Sequence, residues 1–289
     1  MGLAVYPEIM AHKKGILGLA AALSLLSLAA SAQEFSTLEQ AVGAFKFQAG
    51  KPAIPASAAD ATAAVAMSVV PSKSEYPVRG VDVSHYQGAI AWDKVKSSGL
   101  SFAYIKATEG DDLTDDDFLV NWQAAEKAGL RRGAYHFYDF CQAGAAQAAH
   151  FLKIVPAGAG DLPVAIDLEV SKSCKTLPTK TALRKSLKTF VAAVEKAYGK
   201  TPAIYVNNDF YTRYFQGEND AYPVWITDAK TAPALPDNRA WTFWQFSYKG
   251  QVAGIAGDVD MDVYNGPAQQ FAKLENPETP AVMLADASR

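Results

Sequence analysis

Eight short runs of apolar and β-branched residues, set between turn-forming residues, constrain this chain more than any other feature. They read "GVDVSHY" (80–86), "FAYIKAT" (102–108), "RGAYHFYDF" (132–140), "LPVAIDLEV" (162–170), "PAIYVNN" (202–208), "YPVWITD" (222–228), "WTFWQFS" (241–247) and "VDMDVYN" (259–265). Helix-period segments separate the earlier ones. In "DDFLVNWQAAEKAGL" (116–130), Phe118, Trp122, Ala125 and Ala128 recur at helical spacing and Gly129 suits a C-terminal cap. "GAAQAAHFLKIV" (144–155) and "KTALRKSLKTFVAAVEKAYG" (180–199) behave alike. Strand–helix alternation predicts a parallel sheet with crossover helices, and eight strands predict a closed (β/α) barrel of the TIM type. The last three strands follow one another without long helices, so the α/β barrel is expected to be irregular, with a β-rich closure at its C-terminal end. This barrel domain spans residues 78–270.

The flanks read differently. Lys13 and Lys14, an apolar stretch from Gly15 to Ala30 and the small-residue site Ala30-Ser31-Ala32 make residues 1–32 a signal peptide with cleavage before Gln33; Met10 is the alternative initiator. The apolar stretch is short for a membrane span, although a retained anchor helix is the rival reading. No Cys follows the cleavage site, which argues against a lipid anchor. The mature chain is thus expected outside the cytoplasm, periplasmic or extracellular. Residues 33–77, rich in Ala, Pro and Ser, read as a linker, and residues 271–289 as a tail. The formal charge of −3 comes without basic or acidic blocks, so neither a nucleic-acid partner nor a membrane partner is expected, and the chain reads as a monomer.

In such barrels chemistry sits at the C-terminal ends of the strands. Those ends carry Asp82 and His85; Lys106, Thr108 and Glu109; Tyr135, His136 and Tyr138; Asp167 and Glu169; Tyr205 and Asn207; Trp225 and Asp228; Trp244 and Gln245; and Asp258, Asp260 and Asp262. Acids mixed with flat rings suit a sugar site. Asp167 and Glu169 stand at positions i and i+2 of one strand, so they project to one face, about 6–7 Å apart. Mutual repulsion and burial raise at least one pKa of such a pair, which divides the roles of acid and carboxylate as glycoside hydrolysis requires. The bland alternative is a structural charge network with Lys106 or Arg131.

"RGVDVSHYQGAIAWDKVKSSGLSFAYIKATEG", "AGLRRGAYHFY", "LPVAIDLEV", "AIYVNNDFY", "PVWITDA", "WTFWQFS" and "VDMDVYNG" together resemble the glycoside hydrolase family 25 lysozymes, the Chalaropsis-type muramidases, over residues 78–267. The resemblance implies an irregular α/β barrel that cleaves the β-1,4 bond between N-acetylmuramic acid and N-acetylglucosamine in peptidoglycan glycan strands, with no cofactor and no metal. It makes Glu169 the general acid and sets Asp82, Asp167 and Asp260 around the substrate. Trp244 and Gln245 resemble a family block and would floor the groove. The family's last strand often reads Asp-x-Asn where this chain has Asp260-Met261-Asp262; the extra carboxylate either alters local pKa values or points outward.

Inversion, a covalent intermediate and assistance by the substrate N-acetyl group are all open mechanisms. The Asp-x-Glu pair suits the third, with Asp167 polarising the N-acetyl group. Tyr135 and Tyr205 either donate hydrogen bonds to sugar or pack the barrel wall. His85 either binds substrate, holds Asp82 or is structural, and His136 reads as a buried, satisfied histidine. Cys141 and Cys174 follow neighbouring strands, so a disulfide is open to them after export, two buried thiols being the alternative. Their spacing fits no zinc site. Two other functions stand beside the lysozyme: a non-catalytic wall-glycan binding module, against which the intact acids argue, and a chitin-type hydrolase like those of family 18.

Overall fold

The computed structural model describes residues 70–156, 162–170, 174 and 176–274. The expected signal peptide, most of the linker and the tail beyond residue 274 lie outside the described residues.

Among the described residues nine strands form one sheet: β1 (Arg79–Val83), β2 (Phe102–Glu109), β3 (Leu113–Thr114), β4 (Arg131–Phe137), β5 (Ala165–Asp167), β6 (Ala203–Asn207), β7 (Val224–Thr227), β8 (Phe243–Gly250) and β9 (Val259–Tyr264). Their order is β1-β9-β8-β7-β6-β5-β4-β2-β3, and β1 also pairs with β2, which closes a ring of eight with β3 as a short hairpin arm on β2. The pairings from β1 through β2, β4, β5, β6 and β7 to β8 are parallel, whereas β9 runs antiparallel to both β8 and β1. This is the expected β-rich closure: the eight-residue link from β8 to β9 is too short for a crossover and turns the chain back antiparallel, whereas the fifteen residues between β7 and β8 suffice for a parallel crossover without a helix.

Helices α1 (Trp92–Ser97), α2 (Phe118–Lys127), α3 (Gly144–Ile154) and α4 (Lys180–Tyr198) cross between the parallel strands, followed by α5 (Asn208–Tyr214) and α6 (Ala268–Lys273). Their ends follow local chemistry. Thr179 accepts a hydrogen bond from the Ala182 amide at the start of α4, and Gly199 at its end takes φ 68°, a left-handed conformation open to glycine. The apolar stripe of α4, Leu183, Leu187, Phe190, Val191 and Val194, is buried against the outside of the sheet.

Strand alternation sorts the core into two parts. Outward residues such as Val81, Ala103, Ile105, Ile204, Ile226 and Val263 pack beneath the helices. Inward residues Phe102, Tyr104, Ala165, Ala203, Trp225, Phe243 and Tyr264 form a second cluster that plugs the barrel, with Phe271 of α6 beneath it. The plug needs missing side chains. A Cβ on Gly133 would lie 2.3 Å from the Tyr104 ring, and that ring cannot swing away because its hydroxyl donates to the Pro163 carbonyl.

The domain edges differ from expectation. Residues 71–77, expected in the linker, belong to the folded unit: Pro71 is buried, its carbonyl accepts from Arg79, and the Tyr76 ring lies 5.8 Å from Trp241 and 6.0 Å from Trp244. At the other end Phe271 and Leu274 pack on the barrel plug, so the barrel extends past residue 270. Apolar burial sets both edges where composition suggested loose chain.

Gly133→Ala is expected to destabilise the fold by about 1–3 kcal/mol, because an added methyl in a filled core displaces a ring that has no alternative position. Urea unfolding measures this; a midpoint equal to wild type would show that the plug can yield.

Candidate active site

The C-terminal mouth of the barrel opens into a cleft of about 200 Å³. Asp167 closes β5, and Glu169 follows two residues later, past the strand end; both line the cleft. The strand expected over 162–170 is only three residues long. Pro163 has no amide hydrogen to give a ladder, and beyond Asp167 the chain bonds onward through the Leu168 amide to the Tyr205 carbonyl. Leu168 stays fully buried, so the alternation continues and Glu169 turns to the same side as Asp167.

Asp82 of β1 and Asp260 of β9 stand opposite each other in register. With Tyr135, Tyr205 and Gln245 they complete the inner wall. The Gln245 carboxamide is fixed from both ends: its Oε1 accepts from the Tyr205 hydroxyl (2.7 Å) and from Thr227 Oγ1 (2.9 Å), and its Nε2 donates to Asp82 Oδ2 (2.7 Å).

Trp244, expected to floor the groove beside Gln245, faces the other way. Its indole donates to the Asp228 carbonyl on the outside of the barrel, and it packs on Trp241, Phe246 and Tyr76. Adjacent strand residues point to opposite faces, so Gln245 inside puts Trp244 outside. The tryptophan in the cleft is Trp225, whose position between Val224 and Ile226 gives it the inward parity. Tyr86, 82% exposed at the rim, also lines the cleft. Its signal was the tight turn after β1, where Ser84 caps a single helical turn over His85–Gln87.

His85 does not hold Asp82. Its backbone amide and Nδ1 both meet Asp115 Oδ2, at 3.0 and 2.7 Å, so the arm after β3 anchors the β1 turn. His136 is buried between Thr108 Oγ1 (2.8 Å) and Gln147 Oε1 (3.0 Å), stacked on Phe190; burial holds its pKa down at about 3, and it is neutral. Tyr138 packs edge-on against His136 and shares that outer face, whereas Tyr135 faces the cleft. Asp262 is not a surface acid: it is fully buried and accepts from the Trp225 indole at 2.9 Å.

The candidate structural cations do not neutralise the pair. Arg131 lies at the opposite end of the barrel, stacked over Phe271 and donating to its carbonyl. Lys106 lines the cleft, but its Nζ pairs with Glu109 at 2.7 Å; its charge reaches Asp167 as a smaller, opposing influence. Burial, then repulsion from Glu169 and Asp82, push Asp167 well above the usual carboxylate range, and burial raises Glu169. Such a pair titrates as a unit. Asp167 Oδ1 is buried and receives no hydrogen bond. Burial raises Asp260 to about 8, with Asp82 and Glu169 adding repulsion.

The expected bridge forms between Cys141 and Cys174, with Cα atoms 5.5 Å apart. It ties the loop after β4 to the segment after Glu169. Among the described residues the one cluster with metal-ligand donors, Asp139 with these two cysteines, has its sulfurs in the disulfide.

A closed (β/α) barrel whose C-terminal mouth holds buried carboxylates among sugar-sized aromatic faces is the framework of a glycoside hydrolase. Residues 81–255 match the family model described as glycosyl hydrolases family 25, and the chain belongs to that family. Lysozyme M1 of Streptomyces globisporus is 39% identical over 211 residues, covering 69% of this chain and 71% of its own. The N,O-diacetylmuramidase of Chalaropsis sp is 29% identical over 204 residues, covering 63% of this chain and 96% of its own. The solved structure of a family 25 glycosyl hydrolase from Bacillus anthracis superposes with a TM-score of 0.66 at 34% identity, over 70% of this chain and 94% of that one.

The raised acids make stability depend on pH. An acid with a folded pKa near 8 and an unfolded value near 4 binds more protons folded than unfolded between the two. Stability present at low pH is therefore lost as pH rises through about 8. The thermal midpoint is expected to fall between about pH 5 and about pH 8.5, and Asp260→Asn to flatten that fall. Identical slopes in wild type and variant would remove Asp260 from the account.

Proposed function

We propose that this protein is an exported lysozyme that hydrolyses the β-1,4 bond between N-acetylmuramic acid and N-acetylglucosamine in peptidoglycan, with Glu169 as general acid and the substrate N-acetyl group as nucleophile. The observation that carries the mechanism is the buried Asp167 Oδ1, an acceptor with no donor, beside Glu169 in the cleft. A buried acceptor left unsatisfied costs about 1–3 kcal/mol, so a substrate N–H delivered to it is favoured.

The steps follow. The acetamido N–H donates to Asp167, which favours its carboxylate and leaves the pair's proton on Glu169. Glu169 gives that proton to the departing O4 of N-acetylglucosamine while the N-acetyl oxygen attacks the anomeric carbon of N-acetylmuramic acid. Asp167 stabilises the positive charge that develops on the N-acetyl group. Glu169, now ionised, takes a proton from water, whose oxygen opens the ring intermediate and leaves a reducing muramic end with retained configuration. Asp82, Asp260, Tyr135, Tyr205 and Gln245 hold the sugar, and Trp225, in place of Trp244, floors the cleft. The lysozyme and muramidase names of the relatives support the substrate, and the disulfide supports an oxidising compartment and hence export.

The test digests intact peptidoglycan with wild type, Glu169→Gln and Asp167→Asn, reduces the products with borohydride and separates them by mass. Wild type is expected to release reduced N-acetylmuramic ends, and Glu169→Gln to lose about 10²–10⁴-fold in rate. Glycan de-acetylated at the muramic nitrogen is expected to be nearly inert; brisk turnover of it would sink the substrate-assisted step. Anhydro ends would replace hydrolysis by transglycosylation. Absence of soluble product from wild type would turn the reading to a wall-binding module, and turnover of soluble chitooligosaccharides to a chitin-type hydrolase.

A further inference from the structure

Asp262 is a carboxyl group with no role in the steps above, yet it lies inside the barrel directly beneath them. It faces inward two residues below Asp260 and stands in register with Gly80 of β1 and Gln245 of β8. Gly80 contributes no side chain, so the inward neighbour on β1 is Asp82, diagonally across the pair of strands. Asp262 has no exposed surface, and Asp82 is 8% exposed.

The hydrogen bonds can be counted atom by atom. Asp262 Oδ1 accepts from the Trp225 indole at 2.9 Å. Asp262 Oδ2 receives no hydrogen from any backbone amide or from any neighbouring amide, hydroxyl or amine. Asp82 Oδ2 accepts from Gln245 Nε2 at 2.7 Å. The carboxamide is oriented with its oxygen toward the Tyr205 and Thr227 hydroxyls and its NH₂ toward Asp82. The Asp82 and Asp262 carboxyl groups are buried neighbours that act on each other's titration, and a hydrogen bond between them would give the open Asp262 oxygen a donor. Both are acceptors when ionised, so that bond exists only if one of them carries a proton.

We infer that Asp82 and Asp262 share a single proton, carried on Asp82 and directed at Asp262, so that Asp262 is a positioning residue that keeps Asp82 a neutral acid in the wall of the cleft. The inference rests on the lysozyme reading for its consequence in catalysis, although the shared proton itself does not.

The surroundings place the proton on Asp82. Burial pushes Asp82 well above the usual range, repulsion from Asp262 and, to a smaller extent, Glu169 adds to it, and the hydrogen bond from Gln245 opposes it. Asp262 is raised by burial and by Asp260, but the hydrogen bond from the Trp225 indole favours its ionised form and its second oxygen is open to a donor. The other titratable groups around the pair are Asp260 of β9, Asp167 of β5, Tyr104 of β2, Tyr135 of β4 and Tyr205 of β6; burial holds all three tyrosines neutral. Lys106 of β2 is engaged with Glu109 and acts on Asp167. The arrangement thus sets the pair's one negative charge a layer below the cleft, away from Glu169, and keeps Asp82 in the cleft uncharged.

Asp262→Asn reverses this. The new amide oxygen accepts from Trp225, its NH₂ donates to Asp82, and Asp82 ionises between two N–H donors. The charge is unchanged in amount but moves up beside Glu169, which then holds its proton to higher pH.

Infrared difference spectroscopy of the full-length protein near neutral pH reads the proton without substrate. Wild type minus Asp262→Asn, and wild type minus Asp82→Asn, are each expected to show loss of one protonated-carboxyl carbonyl band, and the double variant is expected to lose no more than either single one. No band lost in either variant, or two lost in the double, would overturn the inference. Asp82→Asn serves as the second variant if Asp262→Asn fails to fold, since its new amide can donate to Asp262. The activity arm uses peptidoglycan: the alkaline limb of the kcat profile is expected to move to higher pH in Asp262→Asn. A uniform loss of rate with the limb unmoved would leave Asp262 a packing residue. Inactive wild type would fail the lysozyme reading while the infrared result still stands or falls alone.

Discussion

Everything in the mouth of this barrel depends on the two-residue period of a pleated strand held in a closed ring. Because the ring has no open edge, each strand gives every second side chain to one interior, and what that interior holds is decided residue by residue along the strands. Below, those positions are Phe102, Tyr104, Trp225, Phe243 and Tyr264. Above, they are Asp82, Tyr135, Asp167, Tyr205, Gln245 and Asp260. Each buried ring stabilises the fold by about 1.5–3 kcal/mol, whereas each bare ion taken out of water costs several kcal/mol. Five carboxyl groups in that space cannot all be ionised at such a cost. Among the described residues the cleft offers a single lysine, already paired, so protons do most of the neutralising.

The fold was legible in the chain to the extent that period and punctuation carry it. The eight barrel strands and the helices over 118–127, 144–154 and 180–198 lie where alternation and helical spacing put them. What failed was local and had physical causes. The run 162–170 reads as a nine-residue strand, but a proline without an amide hydrogen near its start and the end of regular pairing at Asp167 leave three residues of ladder. The β3 arm is too short to carry a period, so nothing in the sequence joined Asp115 to His85. The domain edges moved because single aromatics, Tyr76 and Phe271, dock segments whose average composition is that of loose chain.

The site was legible where parity was applied and misread where it was set aside. Asp82, Asp167, Glu169, Asp260, Tyr135, Tyr205 and Gln245 all reach the cleft. Trp244 and Gln245 are adjacent on one strand, so both could not face inward; the polar member took the inside and the apolar one the helix layer. The same rule applied to Asp260 puts Asp262 inside, a conclusion that composition, which treats an extra acid as surface, obscures. Trp225 sat in an apolar run and gave no polar signal, yet its parity matches that of Tyr205 across the register.

The two layers of the interior are one device. The aromatic plug keeps water from the underside of the acids, and that dryness is what raises them; a wetter floor would return them toward ordinary values and ionise them together. An active site of this kind therefore works against the fold above neutral pH, where each acid that loses its proton adds a charge that nothing cancels. The compensation lies in parts that do not titrate: the rings, the glycines that admit them, and the Cys141–Cys174 bridge at the rim. Within the acid layer, donors set each group's state. Asp82 has Gln245 and Asp262 has Trp225, while Asp167 keeps an open oxygen. The group whose donor is missing is the one that an incoming N–H can switch, and it stands two residues from the acid that needs the proton.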